Sequence, residues 1–337
     1  MSKPGGRMPF AMPPRTHTHE GRERRVGVEL EFAGLGFPEI IAAVREVYGG
    51  TARSENRFLH KIEGTSQGTF GVELDSSIFK QERYLKLLDR IGIHLHELDT
   101  GDLVEGVLER VAATVIPYEV VTPPIPLSEL DSVERLRDAL RARGAEGTDE
   151  SLLYAFGLHF NIELPDLERE TILSLLKAYL LLEEWIAEES DIDLSRRVTP
   201  FIEEFPHGYR ARVVDPDYQP DLSALMADYL EENPTRNRSL DLLPLFCQLD
   251  CELVRRYPVE GHLIKPRPAL HYRLPNCRLD DPEWNVADEW SHWVSVEKLA
   301  EDRDKLEAMG REYADRPGFP RNLLTPDWPE TVRRLLR

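Results

Sequence analysis

In the segment Arg24-Arg25-Val26-Gly27-Val28-Glu29-Leu30-Glu31-Phe32, a single residue separates Glu29 from Glu31. Val26, Val28, Leu30 and Phe32 alternate with Gly27, Glu29 and Glu31, the period of a β-strand, so the two carboxylates share one face and the apolar side chains the other. On a strand they stand about 7 Å apart. Like charges held so close raise each other's pKa unless a cation lies between them. Hard oxygen donors at that spacing suit Mg²⁺ or Mn²⁺. The solvated outer face of an amphipathic strand presents the same two residues, so this segment alone does not decide.

The pattern recurs. Phe70-Gly71-Val72-Glu73-Leu74-Asp75 places Glu73 and Asp75 on one face, opposite Val72 and Leu74. Tyr118-Glu119-Val120-Val121-Thr122 carries Glu119 and is closed by the breaker Pro123-Pro124. Leu158-His159-Phe160-Asn161-Ile162-Glu163-Leu164 sets His159, Asn161 and Glu163 opposite four apolar residues. Acid, imidazole and amide repeatedly facing away from apolar side chains predict an antiparallel sheet with a polar, metal-binding open face.

The elements that position these strands are expected to be helical. Pro38 to Tyr48 places Ile40, Ile41, Val44 and Val47 on one side and stops at Gly49-Gly50. Leu103 to Ala113 is expected to be helical and to feed the Glu119 strand, Ser128 to Arg143 carries Leu130, Val133, Leu136 and Leu140 at helical spacing, and Ile172 to Trp185 reads as a buried helix. Residues 57–62 and 69–75 read as a hairpin. Residues 191–220 are Pro-bearing and read as a loop over the site, a substrate lid carrying His207, Tyr209, Arg210 and Arg212. Beyond Asp280 the chain holds Trp284, Trp290 and Trp293, then a charged amphipathic helix from Val294 to Tyr313. The expected organisation is a flexible leader at 1–23, a catalytic domain at 24–280 with an insertion near 166–235, and a Trp-containing helical cap at 281–337.

The ordered motifs Gly-Val-Glu-Leu-Glu-Phe, Val-Glu-Leu-Asp-Ser-Ser, Glu-Val-Val-Thr-Pro-Pro and Gly-Leu-His-Phe-Asn resemble the amidoligases, of the carboxylate–amine ligase superfamily that includes glutamine synthetase and glutamate–cysteine ligase. The resemblance runs from about Arg24 to Arg278. It implies an α+β fold with a glutamine-synthetase-like antiparallel catalytic sheet, holding ATP and two or three Mg²⁺ or Mn²⁺ ions. It also implies phosphorylation of a carboxylate and attack by an amine on the acyl phosphate. Glu29 and Glu31 match paired glutamates facing two metal positions. Glu73 or Asp75, with Glu119, completes the one shared with Glu31, and His159 joins Glu29 at the other. Asn161 would contact nucleotide or substrate. Ala269-Leu270-His271-Tyr272-Arg273 is similar to a late strand in which Arg273 lies along the ATP phosphates. There His271 replaces the usual acidic ligand, and a neutral imidazole suits Mn²⁺ or Zn²⁺ better than Mg²⁺.

Phosphoryl transfer needs positioning and neutralisation of negative charge. Arg236 and Arg238 are further candidates for that task, and Arg238 fits the resemblance best; Lys265 and Arg267 are weaker. A lone basic residue is as readily a solvated surface charge.

With 42 Lys and Arg against 61 Asp and Glu, the chain carries a net charge of −19. That argues against a nucleic-acid or anionic-membrane partner. No apolar run approaches the roughly 20 residues of a membrane span, and residues 1–20 lack the apolar core of a secretory signal. Three cysteines in 337 residues do not suggest a disulfide framework, and Cys247 and Cys251 are expected to pack in a core. The cytoplasm is the expected compartment. The partners implied are a small or peptide carboxylate and an amine donor, with a glutaminase as one source of ammonia. Two other readings use the same residues: a metal-dependent hydrolase, which would turn over without ATP, and a ligase-fold binding protein without turnover.

Overall fold

The computed structural model describes residues 9–74, 117–147, 156–192, 202–316 and 327–336. Among these the chain is α+β, a nine-stranded antiparallel sheet with helices on one face. The strands are β1 (Arg25–Phe32), β2 (Thr51–Asn56), β3 (Leu59–Glu63), β4 (Phe70–Leu74), β5 (Tyr118–Val121), β6 (Ile125–Pro126), β7 (Leu158–Glu163), β8 (Leu240–Asp241) and β9 (Ala269–Tyr272). Their order is β2-β3-β4-β5-β1-β7-β9-β8, and β6 also pairs with β1. Strand β1 is therefore central. Its neighbours register Glu31 opposite Glu119 on β5, and Glu29 opposite His159 on β7.

The alternation of β1 has the consequence foreseen from its sequence. Val26, Val28, Leu30 and Phe32 are buried, as are Val72, Val120, Leu158, Phe160 and Ile162 beside them. This face packs on helices α1 (Phe37–Tyr48), α2 (Asp131–Arg141), α3 (Arg169–Glu189) and α7 (Val286–Glu301). Aromatic rings form much of the join: Tyr48 lies 4.5 Å from Phe70, Trp290 5.5 Å from Phe160, and Tyr179 5.8 Å from Tyr272. Fully burying such side chains stabilises by about 1.5–3 kcal/mol each. The sheet thus has a fixed apolar back, and its polar residues are held to the other side.

Pro123 and Pro124 end β5, as their lack of amide donors requires. Thr122 bridges the break: its hydroxyl accepts from the Val28 amide at 2.8 Å, and β6 then resumes pairing with β1. Strand β2, with no apolar alternation, was not foreseen. The helix expected from Val294 to Tyr313 is two helices, the end of α7 and α8 (Arg303–Ala314), divided at Asp302, whose carboxylate caps α8 through the Lys305 amide.

Two further expectations are corrected. Residues 9–23 are anchored to the body: Arg15 pairs with Asp166 at 2.8 Å, the Trp290 indole donates to the Ala11 carbonyl, and Phe10 is buried. The described part of the expected lid, 202–220, instead builds helix α4 (His207–Val214), packed on α3 behind the sheet. Tyr209 and Arg210 are buried there, and the Arg210 guanidinium meets Glu183 at 2.5 Å, because a buried cation needs a partner. Cys247 is buried in helix α6 (Leu243–Val254) and Cys251 packs against the same core, as expected, and the two sulfurs are paired. Cys277 is buried as a free thiol. No helix among the described residues is long and apolar enough to cross a membrane.

Candidate metal centre

Glu29, Glu31, Glu119, His159 and His271 converge on the polar face of the sheet. Two overlapping groups each bring three ligand atoms within 4.8 Å of one another: Glu29, His159 and His271, and Glu31, Glu119 and His159. Register explains the grouping. Across β4, β5 and β1 run Glu73, Glu119 and Glu31, each directly opposite the next. One pleat along, Glu29 on β1 faces His159 on β7, while Asn161 on β7 faces His271 on β9 and His271 faces Asp241 on β8.

The His159 ring stands between the paired glutamates. Its Nδ1 is 3.1 Å from Glu29 Oε2, and its Nε2 is 3.7 Å from Glu31 Oε1. Burial is the main force on this imidazole; it lowers the pKa to about 3, helped by the nearby Arg273 charge and opposed by Glu29. His159 is therefore neutral at physiological pH, the form that can donate a lone pair to a metal. Burial would raise the Glu29 pKa, but the hydrogen bond from His159 and the neighbouring His271 ring outweigh it and hold the carboxyl well below its usual value. The other oxygen, Oε1, accepts from Asn161 Nδ2 at 2.6 Å, and Arg267 Nη2 in turn donates to Asn161 Oδ1 at 2.5 Å.

Glu31 is positioned by backbone: Oε2 accepts the Gly157 amide at 2.7 Å, leaving Oε1 turned toward His159. Gly27 beside these residues makes room for Asn161, since a Cβ there would lie 3.3 Å from Asn161 Cβ.

His271 bears most directly on whether the residues present fit a further group. The residue is 5% exposed, and neither ring nitrogen has a hydrogen-bond partner. Its Nε2 is 3.5 Å from Glu29 Oε2 and its Nδ1 3.6 Å from Asp241 Oδ2. A buried polar atom left without a bond is costly, and a metal ion is one partner that removes the cost. Carboxylates and neutral imidazoles are the donors a divalent cation takes, so the residues present fit the ion that the resemblance implies.

The sequence-derived candidates sort as follows. Glu29, Glu31, Glu119, His159 and His271 meet, with Asn161 hydrogen-bonded to Glu29 and Glu73 in register with Glu119. Asp75 lies outside the described residues. Arg273 continues β9 on the His271 side; its Nη1 donates to the Arg236 carbonyl at 2.5 Å, and its charge reaches His159. Arg238 is not brought to this face. Its guanidinium bonds the Glu204 and Glu232 carbonyls and lies over the Phe205 ring, 5.7 Å away, among the helices. Lys265 is exposed, and Arg267 supports Asn161.

One residue went unforeseen. Asp241 has no exposed surface, and Arg236 Nε approaches its Oδ2 at 3.2 Å while the Leu243 amide donates to Oδ1 at 2.9 Å. Burial raises its pKa, but His271 and Arg236 more than offset this and hold it below the usual carboxylate value. Strand β8 is only two residues long, too short to show a periodicity.

A family model described as "Putative amidoligase enzyme" matches residues 22–295, most of the chain. The chain belongs to the amidoligase family. That membership supports a ligase-type enzyme, and it agrees with the resemblance carried by the four strand motifs. No curated protein and no solved structure matches the chain.

Proposed function

We propose that this amidoligase is an ATP-dependent carboxylate–amine ligase that works through an acyl phosphate at a centre of Mg²⁺ or Mn²⁺ ions. What carries the reading is the single face on which Glu29, Glu31, Glu119, His159 and His271 converge, in a chain of the amidoligase family. Glu29, His159 and His271 would hold one ion; Glu31 and Glu119, with Glu73 across the ladder, would hold another. Bound divalent ions supply neutralisation of the phosphate charge.

Around them, this chain's residues bind and orient. Arg273, at the end of β9, offers a guanidinium fork to phosphate oxygens. Asn161 holds Glu29 with its amide and receives Arg267 on its carbonyl, which keeps the carboxylate aimed. In the reaction, a carboxylate oxygen of the substrate attacks the γ-phosphorus and ADP leaves. The amine nitrogen then attacks the acyl carbon, its C–O bond to phosphate breaks, and the amine loses a proton. No side chain is a covalent nucleophile. The acid is an amino acid, a peptide tail or a cell-wall carboxylate, the amine is ammonia, an amino acid or ammonia from a glutaminase partner, and the compartment is the cytoplasm.

The test is ADP release with Mg²⁺ and then Mn²⁺, over a panel of amino acids and acidic peptides, with ammonium or hydroxylamine. Hydroxylamine traps an acyl phosphate as a hydroxamate. ADP and hydroxamate rising together with one acid establish the ligase; metal-dependent hydrolysis without nucleotide replaces it with a hydrolase.

A further inference from the structure

The two ligand groups on the polar face differ in kind. Glu31 and Glu119, with Glu73 in register beside them, offer oxygen and share the single imidazole of His159 with the other group. Glu29, His159 and His271 offer one oxygen and two nitrogens. Ligands that sit 2.0–2.2 Å from an ion lie roughly 3.0–3.5 Å from one another between right-angle and tetrahedral geometry. Glu29 Oε2 is 3.5 Å from His271 Nε2, the range two ligands of one ion span, and 3.1 Å from His159 Nδ1, a hydrogen-bonding distance as well as a ligand one.

Behind this group lies Asp241. It is fully buried, sits directly across the ladder from His271, and presents Oδ2 to the ring nitrogen that points away from Glu29. A carboxylate in that place favours a proton on Nδ1, which frees the Nε2 lone pair for a metal and makes it a stronger donor. It also disfavours a second carboxylate at position 271, since two buried like charges would then face each other. Arg236 Nε and the Leu243 amide hold Asp241 from its other sides.

We propose that Glu29, His159 and His271 form a two-imidazole, one-carboxylate position selective for a first-row transition ion over Mg²⁺, and that Asp241 is the residue that positions His271 for it. The pair of positions would then be mixed, a transition ion at this one and Mg²⁺ at the carboxylate one. Imidazole donors favour transition ions, whereas carboxylate and water favour Mg²⁺. This deepens the ligase reading at one of its metal positions but is tested by binding alone, without nucleotide or turnover, so the two stand or fall separately.

The experiment titrates Mn²⁺ into the chelator-stripped full chain, followed by electron paramagnetic resonance, in the presence of excess Mg²⁺. One Mn²⁺ is expected to stay bound under that excess, and its spin-echo modulation to show coupling to imidazole ¹⁴N. Asp241→Asn keeps an oxygen for the Leu243 amide but removes the charge behind His271. It is expected to lose roughly 10–100-fold in Mn²⁺ affinity while Mg²⁺ binding at the carboxylate position is retained. His271→Gln is the second variant and is expected to lose the tight Mn²⁺ position and weaken the ¹⁴N signal. Displacement of Mn²⁺ by equal Mg²⁺, absence of ¹⁴N coupling, or wild-type Mn²⁺ affinity in folded Asp241→Asn protein would overturn the proposal.

Discussion

Glu31 and Glu119 lie directly opposite each other on β1 and β5, and Glu73 lies directly opposite Glu119 on β4. Like charges facing across a ladder destabilise a sheet unless something of opposite charge stands with them. Glu31→Gln relieves one of these repulsions and still offers an oxygen to the Gly157 amide. The variant is expected to keep or raise the melting temperature and to lose about 10²–10³-fold in metal-dependent ADP release, the size typical for removing one electrostatic contact to a reacting group. Full turnover in Glu31→Gln would sink the assignment.

The same row predicts that divalent ions stabilise the fold. Binding to the native state alone adds about 2.7 kcal/mol at a free concentration 100 times Kd. Differential scanning calorimetry should show a melting temperature that rises with Mg²⁺ or Mn²⁺ and falls back on chelation. An unchanged melt at saturating metal would mean these carboxylates hold no ion.

Acid should unfold the metal-free protein, with a sign that can be worked out. Buried His159 has a folded pKa of about 3, below its ordinary 6.5, so between these values the unfolded chain binds the extra proton. Stability is complete above pH 6.5 and is lost as pH falls toward 3. Glu29 and Asp241, both depressed, act in the same direction, their stabilisation present above the usual carboxylate range and lost as pH drops below it. One proton changes stability by about 1.4 kcal/mol per pH unit at most. Urea unfolding at pH 7 and pH 5 should therefore show a steeper loss in wild type than in His159→Asn.

Asn161→Leu would strip Glu29 Oε1 of its donor and Arg267 of its acceptor. A cost of about 1–3 kcal/mol in unfolding free energy is expected, with weakened metal binding. An equally stable variant would show that this chain of bonds does not position Glu29.

Arg210→Met tests the correction to the expected lid. Removing one partner of a buried ion pair strands Glu183 and is expected to cost about 3–5 kcal/mol. Thermal denaturation should register that loss, whereas a lid residue would alter substrate KM in a protein of normal stability.

Much of the site was legible because β1 and β7 are long enough for period-2 alternation to separate acid and imidazole from Val, Leu and Phe. Neither strand order nor register could be read that way. The pairing of Glu29 with His159 links residues 130 positions apart, and no local pattern encodes it. Asp241 was hidden by the brevity of β8. Strand β2 was missed because Thr51–Asn56 has no buried side chain, so pairing with β3 rather than burial makes it a strand. The Pro-bearing stretch around 202–220 was misread for the opposite reason: its breakers suggested a surface loop, while Phe205, Tyr209 and Val213 turn it into the packing partner of α3.

The central place of β1 also sets a schedule for biosynthesis. Glu29 and Glu31 leave the ribosome well before His271, which follows roughly 240 residues later, about 10–50 s at translation rates of 5–20 residues per second. Over that interval the acidic strand waits without its full pair of imidazoles, so a nascent chain would lack part of the proposed means of telling one divalent ion from another. On the proposed reading, discrimination would begin only when β9 docks beside β7, which would make the choice of metal a property of the finished sheet rather than of whichever cation the emerging chain meets first.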